Sequence, residues 1–220
     1  MAIRTNKWVL GEYSGAIDSV VLSKWNDIDV MKSRTRKRKK KTKSEKLKQQ
    51  NTVFGMVSKF LNSARELIET GYQKPKVVKM TPFNAAVSYH LENAVIGDPK
   101  HPSLDLQKIK FTSPIQKTQS VWNPVLSSAA ENTVTVTWEL NPFPQKCTQL
   151  DDQVILVFCD STYNQFSTIY DEVKRSDLSY TKTFHKRVTG HDFYWYLFLI
   201  SADGKLVSET EYIGKVTMTA

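Results

Sequence analysis

The chain has 220 residues, 40% of them apolar and 11% aromatic, which suffices for a buried core and excludes a disordered polymer. Its longest uninterrupted apolar run, Phe193 to Ile200, is less than half of a membrane-spanning helix, so no bilayer-crossing helix and no membrane partner is expected. The net charge of +9 is concentrated: the stretch Lys32 to Lys48 (KSRTRKRKKKTKSEKLK) holds eleven of the 31 basic residues and one of the 22 acidic ones, leaving a body of 20 against 21.

The amino terminus offers only Trp8-Val9-Leu10 where a signal peptide needs a longer apolar stretch, so a cytoplasmic product is expected. Two cysteines, Cys147 and Cys159, fit that compartment. Cys159 sits inside an apolar run, where a reduced, buried thiol is expected in place of a disulfide. Ala16 to Trp25 and Ile28 to Arg34, split by Asn26-Asp27, predict a β-hairpin whose second strand leads into the basic strap.

From Ser44 the period changes. Leu47, Phe54, Val57, Leu61, Ala64 and Ile68 follow helical spacing, Glu45 sits in the first turn and Gly71 follows the last periodic residue, which predicts one helix of roughly 25 residues with a glycine stop. A second helix starts at Thr81 as N-cap with Pro82 at the first position, carries Phe83, Ala86, Val87, His90, Leu91, Ala94 and Val95, and closes at Gly97. Asp98-Pro99 and His101-Pro102 make a turn-rich connection, and Leu104 to Phe111 reads as extended. A domain boundary between Thr112 and Asn123 divides the chain into 1–118, with hairpin, strap and helices, and 119–220.

From Asn132 onward the pattern is all β. Val134, Val136, Trp138 and Leu140 alternate with polar residues, while Val154 to Cys159 and Phe193 to Ile200 are apolar on both faces, as central strands are. Phe166 to Tyr170 and Leu178 to Phe184 are weaker strands. Asp203-Gly204 predicts a tight hairpin turn into Leu206 to Val216. The expected fold is α+β: an N-terminal hairpin with two helices, then an antiparallel immunoglobulin or fibronectin type III-like β-sandwich with Trp138 and Trp195 in its core.

Chemical motifs are absent. No G-x-S-x-G, G-x-x-x-x-G-K-[ST], G-x-G-x-x-G, H-E-x-x-H or C-x-x-C occurs, so no catalytic residue, no metal and no cofactor is expected, and the protein reads as non-enzymatic. His90 falls in an apolar helical stripe and is expected to be a satisfied core histidine. His185 and His191 have only Asp192 near them in sequence, too little for a metal shell or a catalytic pair. Asp151-Asp152 is expected to cap a loop, because a hard cation needs more oxygens.

The glycine-punctuated N-terminal hairpin, the strap leading into VFGMVSKFLNSARELIETGY (53–72), the FNAAVSYHLENAVIG segment (83–97) and the closing YLFLISADGKLVSETEYIG (196–214) together resemble a family of bacterial proteins known only as a domain of unknown function. The resemblance covers nearly the whole chain and implies the architecture above without an activity. It departs in the strap, where such proteins tend to carry prolines and a Thr-x-x-Gln element.

Two functional readings remain. In the first, Lys32, Arg34, Arg36, Lys37, Arg38, Lys39, Lys40, Lys41, Lys43, Lys46 and Lys48 bind nucleic acid or another polyanion by releasing its counterions; with no aromatic inside the strap, that contact is indifferent to sequence. In the second, the protein is a structural or assembly component, a particle or appendage subunit whose sandwich contacts itself or other protein subunits. A strap that only aids solubility is the third, bland reading.

Overall fold

The computed structural model describes residues 2–3, 14–25, 28–35, 44–73, 80–98, 100–170 and 172–219, and the chain forms two compact units, 1–44 and 45–220. In the first unit β1 (Ala2–Ile3), β2 (Gly15–Ile17), β3 (Val20–Trp25) and β4 (Ile28–Ser33) form an antiparallel sheet in the order β1-β4-β3-β2. The predicted hairpin is β3–β4, in register from Val20 opposite Ser33 to Trp25 opposite Ile28. The run read as one strand from Ala16 folds back at Asp18–Ser19, so that Ile17 pairs with Val20. Asp18 takes a φ of +47° there, a region that a short polar side chain tolerates.

The second unit opens with two helices in place of the single one expected: α1 (Glu45–Asn62) and α2 (Arg65–Gly71). The break falls at Ser63–Ala64. The Ser63 hydroxyl donates to the Phe60 carbonyl at 2.7 Å and the Ala64 N–H to the Leu61 carbonyl at 3.0 Å, so side chain and a tightened turn take over helical acceptors. The predicted stripe is also cut: Val57 and Leu61 are fully buried, whereas Leu47 is 43% and Phe54 54% exposed. Gly71 does not stop the helix through a left-handed backbone. It is small because the Phe111 backbone crosses it: a Cβ there would collide with the Phe111 carbonyl and lie 2.8 Å from Thr112 Cγ2.

The next helix, α3 (Pro82–Asn93), begins as expected, with Thr81 Oγ1 accepting from the Asn84 N–H at 3.2 Å. It ends at Asn93, ahead of Gly97, which lies instead in the hairpin of β5 (Val95–Asp98) and β6 (His101–Leu104) with a φ of +91°. A Cβ on Gly97 would meet the His101 carbonyl at 2.8 Å, so both conformation and space call for glycine. The stretch read as extended from Leu104 is interrupted by a 3-10 turn over Leu106–Lys108, capped by Asp105.

Seven strands then build the sandwich: β7 (Trp122–Ala130), β8 (Thr133–Glu139), β9 (Gln153–Asp160), β10 (Gln165–Ile169), β11 (Ser179–Thr183), β12 (Asp192–Ile200) and β13 (Glu211–Thr217). One sheet runs β11-β8-β7 and the other β10-β9-β12-β13, all pairs antiparallel. The first strand, β7, is not marked by the sequence pattern, and the last begins at Glu211 instead of Leu206. Of the Asp203-Gly204 pair only Gly204 has a positive φ, +70°; the four-residue loop closes through the Ser201 N–H to the Leu206 carbonyl at 2.9 Å.

The doubly apolar strands β9 and β12 are explained by a third layer. Val154, Leu156 and Phe158 join Trp195, Leu197 and Leu199 in a core shared with Val134, Val136 and Trp138 of the facing sheet. Their alternates Ile155, Val157 and Cys159, with Tyr196, Phe198 and Ile200, join Val57, Leu61 and Ile68 of α1 and α2 and Ala86 and Val87 of α3 in a second core. Helices, four-stranded sheet and three-stranded sheet thus stack as three layers around two cores. The sequence boundary at 118/119 does not coincide with a break in packing, because the second core spans it; the compact units part at 44/45.

Candidate polyanion-binding site

The structure describes the two flanks of the strap. Lys32 lies on β4 opposite Val21, and Arg34 follows, held by its N–H to the Ser19 carbonyl at 2.6 Å. Both are exposed, as are Lys46 and Lys48 on the first turn of α1. Lys48 Nζ reaches Glu45 Oε1 at 2.6 Å, an exposed helical pair of small energetic weight, while Lys32, Arg34 and Lys46 make no ion pair among the described residues. Arg36, Lys37, Arg38, Lys39, Lys40, Lys41 and Lys43 lie outside the described residues.

The start of α1 borders an open groove of about 680 Å³. Lys46, Gln50 and Phe54, at i, i+4 and i+8, share one face of α1 and line it. Leu91 of α3 and Val95, Asp98 and Pro102 of the β5–β6 hairpin form the facing wall. The sequence counts Phe54 as core; the only hint to the contrary is the run of five polar residues, Lys48 to Thr52, between Leu47 and Val53-Phe54.

The histidines are placed elsewhere. His90 is fully buried, its Nδ1 donating to the Ala86 carbonyl at 2.7 Å while its Nε2 accepts from the Lys110 N–H at 3.1 Å. The backbone N–H can only donate, so the ring is the neutral Nδ1–H tautomer. Burial, partly opposed by the Ala86 bond, lowers its pKa from the ordinary value. Unfolded, the same imidazole takes up a proton near pH 6.5. Stability is therefore expected to be fully present above that pH and to decline on acidification below it, by at most about 1.4 kcal/mol per pH unit for this one proton. Urea unfolding from pH 7.5 to 5.5 should show a slope that His90→Gln lacks; equal slopes would assign the acid sensitivity to other groups.

His185 caps a 3-10 turn, its Nδ1 accepting from the Arg187 N–H at 3.3 Å, and is exposed. His191 pairs instead with Asp160 Oδ2 at 2.8 Å, a partner 31 residues away that the sequence did not suggest. Asp192, the acid nearest in sequence, turns to Thr217 Oγ1 at 2.6 Å and Lys215 Nζ at 2.9 Å, and these bonds lower its pKa. No group of three potential metal ligands occurs among the described residues. Cys159 is buried and its thiol pushed up to about 12, first by burial and then by Asp160, which leaves it chemically inert.

Asp152 does more than cap its loop. Its Oδ2 accepts from the Gln149 N–H at 3.3 Å, from the Thr118 hydroxyl at 3.2 Å and from Arg175 Nη2 at 2.9 Å, with the two charged side chains 0% and 1% exposed. Arg175 also donates to the carbonyls of Gln119 and Ser120, and its own carbonyl accepts from Trp138 Nε1 at 3.0 Å. This charge pair is structural: it ties the segment entering β7 to the loops before β9 and β11.

The fold defined by these layers is an α+β protein whose C-terminal half is a seven-stranded sandwich of three and four strands. The chain belongs to a family of unknown function, DUF6266, whose model matches residues 12–214. No curated protein matches the chain. Among solved structures it is similar to the fn3 domain of the human collagen alpha-1(XX) chain, at 15% identity and a TM-score of 0.36 over 49% of this chain and 91% of that one. It is also similar to a fourth human FNIII domain, at 16% identity and a TM-score of 0.36 over 50% and 84%, and to a cytokine receptor complex, at 15% and 0.35 over 47% and 53%. Among the described residues no helix is long and apolar enough to cross a membrane.

Proposed function

We propose that the protein is a non-enzymatic binder of nucleic acid or a related polyanion, and that the strap from Lys32 to Lys48 makes the contact without reading sequence. One observation carries this reading: eleven basic residues fall within seventeen positions of a chain whose remainder is nearly neutral. Its described flanks support it, since Lys32, Arg34 and Lys46 are exposed without ion pairs among the described residues. If about six phosphates are neutralised, log K should fall with log salt at a slope near −5, alike for unrelated duplexes. Converting Arg36, Lys37, Arg38, Lys39, Lys40 and Lys41 to Gln should flatten that slope and leave the melting temperature nearly unchanged, because exchanging charged for polar side chains usually alters stability little. Affinity that survives the replacement would move the contact surface elsewhere.

A second reading, an assembly subunit, is favoured by exposed apolar side chains around the start of β7 and the β8–β9 loop: Phe143 is 77%, Leu150 59% and Trp122 40% exposed. Sedimentation equilibrium separates the two, since assembly requires a concentration-dependent mass in the absence of nucleic acid.

A further inference from the structure

We propose that the groove between α1 and the β5–β6 hairpin is a nucleobase site, and that the polyanion engaged by the strap is single-stranded nucleic acid. The inference rests on the polyanion reading of the strap and adds the part of the ligand that is not phosphate. The groove, about 680 Å³, falls in the size range of small-molecule sites, roughly 300–1,000 Å³. Phe54 lines it while 54% exposed, so its ring offers an aromatic face on which a base can stack. The strap itself contains no aromatic residue, and this groove supplies one eight positions, about two helical turns, beyond Lys46.

Polar groups are placed to read a base edge. Gln50 shares the helix face of Lys46 and Phe54, and its amide both donates and accepts. Asp98, on the opposite wall, accepts from the exocyclic amino groups of cytosine, adenine or guanine. Lys46 belongs to the strap and lines the groove, so one helix face presents a phosphate contact and a base contact together. Bases inside a duplex are stacked and paired at these edges and cannot enter, which selects single strands. An apolar helix or a second copy of the chain would cover Phe54, Val95 and Pro102 but would bury Lys46 and Asp98 against an apolar face at a cost.

The test is fluorescence anisotropy of the full chain with three probes at one salt concentration: an oligodeoxycytidine of about 20 nucleotides, a duplex of the same length and inorganic polyphosphate, which has charge without bases. The oligodeoxycytidine should bind more tightly than the duplex. Phe54→Ala should weaken it roughly 5- to 100-fold and leave the duplex, polyphosphate and the salt slope unchanged, with Phe54→Tyr restoring binding. The six-fold Gln variant of the strap should weaken all three probes. Equal loss with all probes on Phe54→Ala, no loss at all, or a wild-type chain that prefers the duplex would each overturn the base site while leaving the strap reading intact. Failure of all three probes to bind the wild-type chain would overturn both, and loss of self-association in Phe54→Ala without change in nucleic-acid binding would assign the groove to a second copy.

Discussion

Residues 119–220 expressed alone are expected to lose cooperative melting, to bind a hydrophobic dye and to self-associate, whereas residues 45–220 should unfold in a single transition. The sequence pattern suggests the opposite, a sandwich that closes on itself. The reason lies on the outer face of the four-stranded sheet, where Ile155, Val157, Tyr196, Phe198 and Ile200 are buried by α1, α2 and α3. Each fully buried apolar side chain left bare forgoes about 1.5 to 3 kcal/mol of burial, and five together forgo about 7.5 to 15 kcal/mol, as much as the whole usual stability of a domain, about 5 to 15 kcal/mol. The connection is also lost: the Phe111 and Thr112 N–H groups both donate to Thr210 Oγ1 at 3.0 Å, pinning the helical region to the segment before β13. A monomeric fragment with a sharp melt would show the helical layer to be an optional cover.

Replacing Asp152 by Ala is expected to destabilise the protein by about 3 to 5 kcal/mol, because it leaves the Arg175 guanidinium buried without its counter-charge. Arg175→Met should cost about as much by orphaning Asp152 and the carbonyls of Gln119 and Ser120. The double variant should lose clearly less than the sum of the two, since each single change already removes the shared pair. Urea midpoints of the four proteins measure this cycle. Additive losses, or a single-variant loss below about 1 kcal/mol, would mean that the loops it joins hold together by other contacts.

What the sequence reveals follows from how local the cause is. The α3 cap at Thr81-Pro82, the β3–β4 hairpin and the alternation in β8 are written within a few residues, and each is found where expected. The strand β7 escapes notice because Asn123-Pro124 and the small residues Ser127 and Ser128 break its pattern, and its pairing with β8 shifts register twice. Ser63 looks like an ordinary helix residue until its hydroxyl is seen on the Phe60 carbonyl. The apolar runs of β9 and β12 are legible as central strands, but nothing in them says that helices cover one side. Long-range partners are the least legible of all: Arg175 and Asp152 stand 23 residues apart, and His191 finds Asp160 only across the β9–β12 pair. For the candidate site, the charge is plain in the sequence, while the exposure of Phe54 emerges only from the packing of α1, whose buried residues are Val57, Phe60 and Leu61 of its later turns.

The alternation along β9 and β12 has a consequence for how strictly the chain is aligned. In an ordinary two-layer sandwich, a one-residue slip of a strand exchanges an apolar row for a polar one. Here it would trade one apolar row for another, sending Trp195 toward the helices and the hydroxyl of Tyr196, which donates to the Leu106 carbonyl, into the space between the sheets. Hydrophobicity alone would forgive that error. Shape and a single buried phenol therefore carry the discrimination between the true alignment and its neighbour, so the bulk and polarity at positions 195 and 196 act as an alignment key for the whole sandwich.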